Sequence, residues 1–355
     1  MREKQNIRRL TVEEIEAVIE QYGEKQFRAK QIIEWLWQKH IAAFDEMTSL
    51  SKGLREKLQR DFYIHRPKVI NKQLSKDGTI KLAFEMEDES VVEGVLIPSK
   101  ERMTACISSQ VGCQLGCKFC ATAGLGFQRN LFPDEIVDQV VELNRVAQEK
   151  YGHDLSNIVY MGMGEPLMNY PHVVDSVRWL TSSKGLGISH RRITLSTVGL
   201  VEQIKKLADE DLKINLALSL HAANDQKRDA IVPVNRRNPI ADLIDALKYY
   251  YDKTGSRITI EYILFKGFND SLQDASELAA FCKHFPVKVN VIEYNPVERS
   301  SLERAENEDM ELFVNFLREK INIIVNVRRS RGKDIDAACG QLANKIVTTQ
   351  KPDKS

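Results

Sequence analysis

The sequence lacks any long apolar run. No stretch of its 355 residues approaches the roughly 20 consecutive apolar residues that a membrane-spanning helix needs. The first ten residues, MREKQNIRRL, are charged and lack the apolar core of a secretory signal peptide. We therefore expect a soluble, cytoplasmic protein without a membrane partner.

An excess of charge of either sign is also absent. The chain has 51 lysines and arginines against 50 aspartates and glutamates, for a formal net charge of +1. Any binding to nucleic acid must therefore depend on local basic clusters. We predict phosphate contacts at four clusters, although any one pair alone favours a solvated surface over a contact. The clusters are Arg8 with Arg9, Arg191 with Arg192, Arg236 with Arg237, and the basic residues of RRSRGK.

Cysteine is scarce but strongly clustered. Four of the six cysteines lie in CISSQVGCQLGCKFC, where Cys113, Cys117 and Cys120 form CxxxCxxC and Cys106 lies upstream of that spacing. Cytoplasmic thiols are kept reduced, so clustered cysteines favour a metal or catalytic site over a structural disulfide.

The spacing of the three clustered cysteines predicts the kind of metal centre. Three thiolates leave one iron of a 4Fe-4S cluster open to another ligand, whereas a structural zinc ion takes four protein ligands. Cys106 could supply a fourth thiolate, which keeps a zinc site open as an alternative, but it lies within a strand pattern. We predict a 4Fe-4S cluster on Cys113, Cys117 and Cys120.

The first part of the chain predicts helices followed by a hairpin. Thr11 with Glu14 forms a capping box, and Ser51 is a candidate cap for a later helix. Trp35 and Trp37 lie in an amphipathic segment and are expected to pack in a core. The pattern then changes to period two in TIKLAFEME and VVEGVLIP, which predicts a β-hairpin. Glu93 lies in its second strand, where the pattern alone favours a solvated carboxylate.

From residue 104 the chain alternates strands with amphipathic helices. Six strand candidates occur in series: TACISS, SNIVYMG, RITLST, KINLALSLH, RITIEYILF and VKVNVIEYN. INIIVNVR follows them as a last strand. This order predicts a parallel α/β sheet curled into a full or partial barrel, with ligands at the carboxyl ends of the strands. The predicted division is an accessory helical domain 1–70, a β-hairpin connector 71–98, a barrel with C-terminal loop 99–345 and a polar tail 346–355.

Polar residues mark the ends of several predicted strands. The Gly-rich turn in VYMGMGEPLMN lets backbone approach a ligand, and its Glu165 offers a carboxylate to an ammonium group. One polar strand end is weak evidence, but several in series favour a pocket. The candidates are Gly164, Glu165, Ser196, Ser219, Leu220, His221 and Asn295.

Two cysteines lie far from the cluster. Cys282, in LAAFCKHF, is expected to pack in the core. Cys339, in DIDAACGQLAN, follows the basic run RRSRGK, and we expect these cations to lower the pKa of its thiol and make it reactive. Taken alone, Cys339 is also consistent with a loop cysteine of no consequence.

The cysteine motif resembles a known superfamily. CxxxCx-aromatic-C after the first strand of a β/α series is similar to the radical S-adenosylmethionine proteins. The resemblance implies a partial (β/α)6 barrel with a small helical N-terminal domain and a short β-hairpin. It also implies that the open iron binds S-adenosylmethionine, whose reductive cleavage yields a 5′-deoxyadenosyl radical, and that the polar strand ends named above hold S-adenosylmethionine.

A closer resemblance extends over nearly the whole chain. The stretches CISSQVGCQLGCKFCATAGLGFQRNL, MGMGEP, LSLHAAND and DIDAACGQL are similar to the radical methyltransferases that modify adenine in ribosomal RNA. One branch of that family methylates carbon 2 and the other carbon 8. Gly164 to Pro166 and TAGLGFQRNL resemble the carbon 2 branch, as does Val111. This implies large-subunit rRNA and tRNA as substrates, an electron donor such as flavodoxin, and a monomer.

The family chemistry implies roles for three residues. Cys339 takes a methyl group from one S-adenosylmethionine, and a radical from a second abstracts a hydrogen so that the carbon adds to adenine. Glu93 accepts the ring proton, and Cys106 attacks the sulfur of Cys339 to release the base through a transient disulfide. The alternatives are carbon 8 methylation, a non-catalytic zinc-containing RNA-binding protein, and a radical enzyme acting on a small molecule or protein.

Overall fold

One mixed sheet organises the protein. The computed structural model describes residues 4–100, 102–320 and 323–345. Ten strands form this sheet, in the spatial order β14-β13-β12-β11-β10-β9-β6-β5-β4-β3. The strands are β1 (Gln5–Asn6), β2 (Phe62–Tyr63), β3 (Lys68–Leu74), β4 (Ile80–Glu85), β5 (Val91–Ser99), β6 (Arg102–Cys106), β7 (Gln110–Gly112), β8 (Phe127–Asn130), β9 (Asn157–Tyr160), β10 (Ile193–Thr197), β11 (Asn215–Ser219), β12 (Ile258–Leu264), β13 (Val287–Glu293) and β14 (Ile324–Arg328).

Ten α-helices surround and extend the sheet. Many of them follow a strand of the sheet and bury an apolar face. The helices are α1 (Val12–Gln21), α2 (Phe27–Trp37), α3 (Lys52–Asp61), α4 (Pro133–Tyr151), α5 (Tyr170–Thr181), α6 (Val201–Ala208), α7 (Asp225–Ile231), α8 (Ile240–Thr254), α9 (Leu272–Phe281) and α10 (Asn307–Lys320), counting only the residues that the structure describes.

Seven neighbouring strands, β6 and β9 to β14, run parallel. Strands such as β12 are buried along their whole length because helices or the barrel interior cover both faces. Over the described residues the sheet is open, with β3 and β14 as its edges. The predicted partial barrel is confirmed, with β14 as an added parallel strand.

An antiparallel extension precedes the barrel. The predicted hairpin is confirmed, because β4 and β5 pair antiparallel and β5 continues onto β6. Strand β3 was not predicted from the sequence. Its residues, KVINKQL, alternate between exposed and half-buried at the edge of the sheet, so its apolar signal is weak. The predicted domain boundaries remain a prediction.

The N-terminal helices pack on the outside of the barrel. The Trp37 ring stacks on that of Trp179 from α5, with centroids 4.2 Å apart. Arg8 is buried and makes two hydrogen bonds to Asp138 of α4, at 2.5 and 2.9 Å. Arg9 pairs with Glu87 at 3.0 Å. Core packing by Trp37 is therefore confirmed, whereas a phosphate-binding role for Arg8 is wrong because Arg8 is buried against Asp138. Arg9 is only partly buried, and its phosphate contact remains a prediction.

Two further expectations concern membrane-spanning helices and the C-terminal tail. No described helix combines the length and apolar character that crossing a membrane requires. The predicted polar tail, 346–355, lies outside the described residues, as do the first two residues of INIIVNVR.

Candidate active site

A cavity of about 360 Å³ lies at the carboxyl ends of the barrel strands. Parallel strands place their terminal residues at one edge, which is where such sheets bind ligands. The lining joins residues from distant parts of the chain, including Cys106, Cys120, Gly164, Glu165, Ser196, Ser219, His221, Glu261 and Cys339.

The cluster loop, residues 113–126, is fixed by close backbone contacts. Gly112 has φ +73°, and a Cβ there would lie 1.7 Å from the carbonyl oxygen of Gly126. Cys113 N–H donates to that same oxygen at 2.9 Å, and Lys118 N–H donates to the Ile231 carbonyl at 3.0 Å. Glycine at position 112 therefore permits the turn that presents the three cysteines.

The three cysteine thiols lie close enough to affect each other electrostatically. Burial raises the pKa of Cys113 to about 11. Burial, and then the charges of Cys120 and Cys113, raise the pKa of Cys117. Among the described residues no three ligand side chains meet at the position of one metal ion. A 4Fe-4S cluster does not need this, because each thiolate binds a different iron. The donor set fits that cluster.

An aromatic wall and a buried cation support the cluster loop. The Phe119 ring meets the edge of His221, with centroids 4.6 Å apart. Arg228 is fully buried and donates to the carbonyls of Leu220 and Val198 at two strand ends. Burial lowers the pKa of Arg228 to about 10, so it remains a cation at neutral pH. Sequence reasoning missed Arg228, whose helix gives no sign that it faces inward.

The Gly-Glu turn forms one wall of the cavity. Gly164 has φ +92°, and a Cβ there would lie 2.5 Å from the side chain of Gln110. Glu165 is buried, and its carboxylate accepts from the N–H groups of Leu167 at 3.0 Å and Val198 at 2.9 Å. Burial raises the pKa of Glu165 to about 7. A ligand ammonium would favour the ionised form of this carboxylate.

Ser196, Ser219 and His221 line the same cavity. The two serine oxygens lie 3.4 Å apart. His221 Nδ1 accepts from the Ile263 N–H at 3.1 Å, and burial lowers the pKa of His221 to about 3. The imidazole is therefore neutral, with Nε2–H as its donor.

Two other predicted ligand residues do not reach the cavity wall. Leu220 is completely buried, and its N–H donates to the Glu261 carbonyl. Asn295 is buried and donates from its amide to the Cys339 carbonyl at 3.4 Å. In this structure Asn295 positions the C-terminal loop; binding of S-adenosylmethionine by either residue remains a prediction.

Cys339 and Cys106 line the cavity as free thiols. Cys106 is the last residue of β6, and burial followed by the charge of Cys339 raises its pKa. The side chain of Cys339 has an exposed surface toward the cavity, yet the protein packed around it and then Glu261 raise the pKa of its thiol, although Arg328 opposes them. The expectation that cationic neighbours lower the pKa of Cys339 is therefore wrong: the carboxylate and the surrounding protein outweigh the arginine.

Hydrogen bonds to the cluster loop hold the segment around Cys339. Ala121 N–H donates to the Gly340 carbonyl, and the Thr122 hydroxyl donates to the Leu342 carbonyl, both at 2.7 Å. A Cβ at Gly340 would lie 3.1 Å from the Phe119 carbonyl oxygen. The chain therefore keeps Cys339 beside the predicted cluster.

Glu93 is buried, not solvated. Its side chain pairs with Lys81 at 3.1 Å and accepts from the N–H groups of Ala343 at 2.9 Å and Asn344 at 3.2 Å. The interpretation of Glu93 as a solvated strand carboxylate is wrong, because the C-terminal segment covers this face of the hairpin. Glu93 adjoins the segment that carries Cys339 but is not part of the cavity lining in the described residues.

Comparison with known proteins identifies the family. Residues 5–64 match the ribosomal RNA large subunit methyltransferase N-terminal domain, and residues 107–279 match the radical SAM superfamily. Proteins of this superfamily use a 4Fe-4S cluster and S-adenosylmethionine, and these are the cofactors of this chain.

Close relatives cover nearly the whole chain. A probable dual-specificity RNA methyltransferase RlmN from Christiangramia forsetii is 52% identical, covering 96% of this chain and 97% of its own length. Another from Alkaliphilus oremlandii is 46% identical, with coverage of 97% and 98%. The crystal structure of a radical SAM methyltransferase from Sphaerobacter thermophilus matches with a TM-score of 0.89 at 42% identity, covering 95% of this chain and 99% of that one. This chain therefore belongs to the RlmN family of radical S-adenosylmethionine RNA methyltransferases.

Proposed function

We propose that this protein methylates carbon 2 of adenosine in large-subunit rRNA and in tRNA, with Cys339 as the methyl carrier. The observation that carries the proposal is the position of two free thiols, Cys106 and Cys339, in one cavity beside the cluster loop. A single carrier thiol would leave its product attached, so a second thiol within the same site has a clear use.

The cofactors would occupy neighbouring parts of the cavity. Cys113, Cys117 and Cys120 would hold the cluster, and the walls at Gly164–Glu165 and at His221 would hold S-adenosylmethionine. When bound, these groups supply a methyl group and a 5′-deoxyadenosyl radical. The buried Glu165 carboxylate is the acceptor available for an ammonium group on that wall.

Cys339 would serve as the nucleophile that adenine cannot provide. Carbon 2 of adenine is electron-poor and cannot attack a sulfonium directly, so a thiol must first take the methyl group. The thiolate is the reactive form, and the surroundings of Cys339 raise its pKa, so the thiol must lose its proton before the transfer. The methylated side chain then forms the carbon–carbon bond to the base and holds the adduct within the cavity.

Cys106 and Glu93 complete the reaction. Cys106 loses its proton and attacks the sulfur of Cys339, so a disulfide forms while the bond between sulfur and the product carbon breaks. The electron pair of that bond stays with the product carbon, which takes up a proton and becomes the methyl group. Glu93 accepts the proton from carbon 2 once the N–H groups of Ala343 and Asn344 release its carboxylate. This assignment makes the segment around residue 343 mobile during turnover.

Local positive charge supports RNA as the substrate. Arg328, Arg329 and Arg331 are exposed and line the cavity, while the pairs Arg191–Arg192 and Arg236–Arg237 are exposed elsewhere. Arginines at this rim can contact phosphates while one unstacked adenosine enters the cavity. We further propose that the helical region 1–70 grips folded RNA, that an electron donor such as flavodoxin serves the cluster, and that the protein acts as a monomer in the cytoplasm.

Anaerobic turnover tests the proposal. The reconstituted protein is incubated with unmodified rRNA and tRNA transcripts, a reductant and S-adenosylmethionine, and the digested nucleosides are separated by liquid chromatography with mass spectrometry. We expect 2-methyladenosine from the native protein and none from Cys339→Ala. Formation of 8-methyladenosine, or of no methylated nucleoside by cluster-replete protein, would contradict the proposal.

A further inference from the structure

A row of polar side chains crosses the barrel at the bottom of the cavity. Ser219, Glu261, Asn290 and Asn326 occupy matching positions on the adjacent strands β11, β12, β13 and β14. Residues in register on neighbouring parallel strands point to the same face of the sheet. Ser219 and Glu261 line the cavity, so this face is the barrel interior.

Hydrogen bonds in the row run in one direction and end at Glu261. The Asn326 amide donates to Asn290 Oδ1 at 3.1 Å, and the Asn290 amide donates to Glu261 Oε1 at 2.8 Å. Glu261 is 4% exposed, and no hydrogen bond or ion pair within the described residues reaches its Oε2. Burial raises the pKa of this carboxyl, which Arg328 and the Asn290 amide oppose. Oε2 is not among the fully buried atoms without a partner, so it reaches the surface of the cavity, where a ligand that brings a donor can bind it.

The surroundings of Glu261 indicate a flat ligand. Two residues further along the same strands, Ile263 and Ile292 are in register and line the cavity. They offer an apolar surface for a ring, with the carboxylate oxygen at its edge. A carboxylate accepts from the exocyclic amine of adenine, whereas guanine presents an oxygen at the equivalent position and would be repelled.

We infer that Glu261 accepts a hydrogen bond from the 6-amino group of the target adenine and thereby selects adenine and turns its carbon 2 toward Cys339. The inference rests on the proposed function. Glu261 becomes a residue that determines base specificity, in addition to the cysteines and Glu93. It makes no covalent bond and transfers no proton in this role.

The position of Glu261 favours the target base over the adenine of S-adenosylmethionine. The charge of Glu261 acts on the Cys339 thiol, which must reach carbon 2 of the substrate. The Gly164–Glu165 wall follows β9, which two strands separate from β12, whereas the wall at His221 follows β11, the neighbour of β12. Because the reacting base must meet Cys339, we assign Glu261 to the target base, and the affinity of Glu261→Gln for S-adenosylmethionine separates this role from one toward the cofactor.

A double-mutant cycle tests this contact by combining a substitution of Glu261 with removal of the 6-amino group from the target base. The variant is Glu261→Gln, whose Oε1 can still accept from Asn290 while its amide presents a donor to the cavity. Both proteins, purified with methylated Cys339, are given RNA with either adenosine or purine riboside, which lacks the 6-amino group, at the target position. Single-turnover formation of the methylated nucleoside is measured. Glu202→Gln, on an exposed side chain of α6, controls for the loss of one negative charge.

We expect each single change to slow the reaction at least about 100-fold, since a site built to bind an N–H group rejects a ligand without it. The two changes together should be no slower than either one. Additive effects, or a native enzyme indifferent to the amine, would overturn the inference. The melting temperature of Glu261→Gln should match that of Glu202→Gln, and the native rate should be retained by the latter.

Two further measurements separate the other roles. Methylation of Cys339 in cells, measured by peptide mass spectrometry, should be retained in Glu261→Gln, because loss of the carboxylate charge favours the thiolate. The affinity for S-adenosylmethionine should be unchanged. A loss of either would overturn the inference, because Glu261 would then serve the thiol or the cofactor. If the native protein methylates neither the RNA with adenosine nor the RNA with purine riboside at the target position, the proposed function fails together with the inference. If the native protein methylates adenosine normally but the effects of Glu261→Gln and of the missing amino group are additive, only the role of Glu261 is overturned.

Discussion

Cys106 and Cys339 meet in one cavity as free thiols, although the first ends a barrel strand and the second lies in the C-terminal loop. Burial and then the charge of Cys339 raise the pKa of Cys106, so the two sulfurs lie within electrostatic reach of each other. The arrangement suits a thiol that carries a group and a second thiol that displaces it.

Loss of one cluster cysteine should abolish iron binding. We expect Cys117→Ala, purified anaerobically and reconstituted, to lose the iron content and broad visible absorbance of a 4Fe-4S cluster, because only two of the three thiolates remain. Cys282→Ala is the matched control, since Cys282 is buried beside α9, away from the cavity. Full iron occupancy in Cys117→Ala would refute the assigned ligands.

Removal of Cys106, the proposed resolving thiol, should trap the substrate. In Cys106→Ala the base can become attached to Cys339 but cannot be released by disulfide formation. We expect normal iron content and a slow protein–RNA band on a denaturing gel, which nuclease treatment removes. Cys282→Ala should give no such band. Normal turnover by Cys106→Ala would show that another group releases the product.

The arginines at the cavity rim should contribute to RNA affinity. We expect Arg328, Arg329 and Arg331, replaced together by Gln, to weaken binding. The slope of log affinity against log salt should also become shallower, by roughly one unit for each phosphate that the protein no longer neutralises. Lys333 should add less because it pairs with Glu293 at 2.7 Å.

The control variant removes three positive charges from the outer surface, away from the rim of the cavity. Arg60, Arg145 and Arg178 each pair with acids on the outer surface. Their joint replacement by Gln should leave the salt slope close to the native value. Equal slopes for the rim variant and the native protein would mean that the rim arginines are only a solvated surface.

The buried pair of Arg8 and Asp138 should matter for stability. Arg8→Met leaves Asp138 with only Arg66, whose Nε lies 3.6 Å away. We expect the free energy of unfolding to fall by about 3 kcal/mol, because removing one partner strands a buried charge. Denaturant unfolding measures this. Arg8→Met with Asp138→Leu should recover part of the loss, and a fall below about 1 kcal/mol for Arg8→Met alone would contradict the structural role.

Local patterns predicted much of the fold but little about burial. The period-two hairpin and the parallel strands follow from short-range apolar patterns, and the capping box of Thr11 is present. Arg8 and Glu93 look like surface residues in sequence, yet distant segments bury them. Glu261 gave one local signal, a carboxylate within the strand RITIEYILF, but only the register across β11 to β14 shows its partners.

In the site, too, the sequence motif predicts which residues are present but not the environment in which they lie. The thiol positions of the cluster loop follow from spacing, whereas the pKa of Cys339 depends on burial and on Glu261, which lies on another strand. Adjacent cations in the sequence were therefore a poor guide to its reactivity. The contact of Asn295 with the Cys339 carbonyl also arises only when the C-terminal loop folds back over the barrel.

Transfer of labelled carbon from Cys339 to the RNA shows whether this thiol is the methyl carrier. Protein is produced in cells fed methionine with a trideuterated methyl group, so that Cys339 carries the label, and is then given unlabelled S-adenosylmethionine and RNA for one turnover. We expect 2-methyladenosine whose methyl group retains two of the three deuterium atoms, because one leaves as the carbon becomes the bridge to adenine. A methyl group without deuterium would contradict this role, since the carbon would then not have come from Cys339.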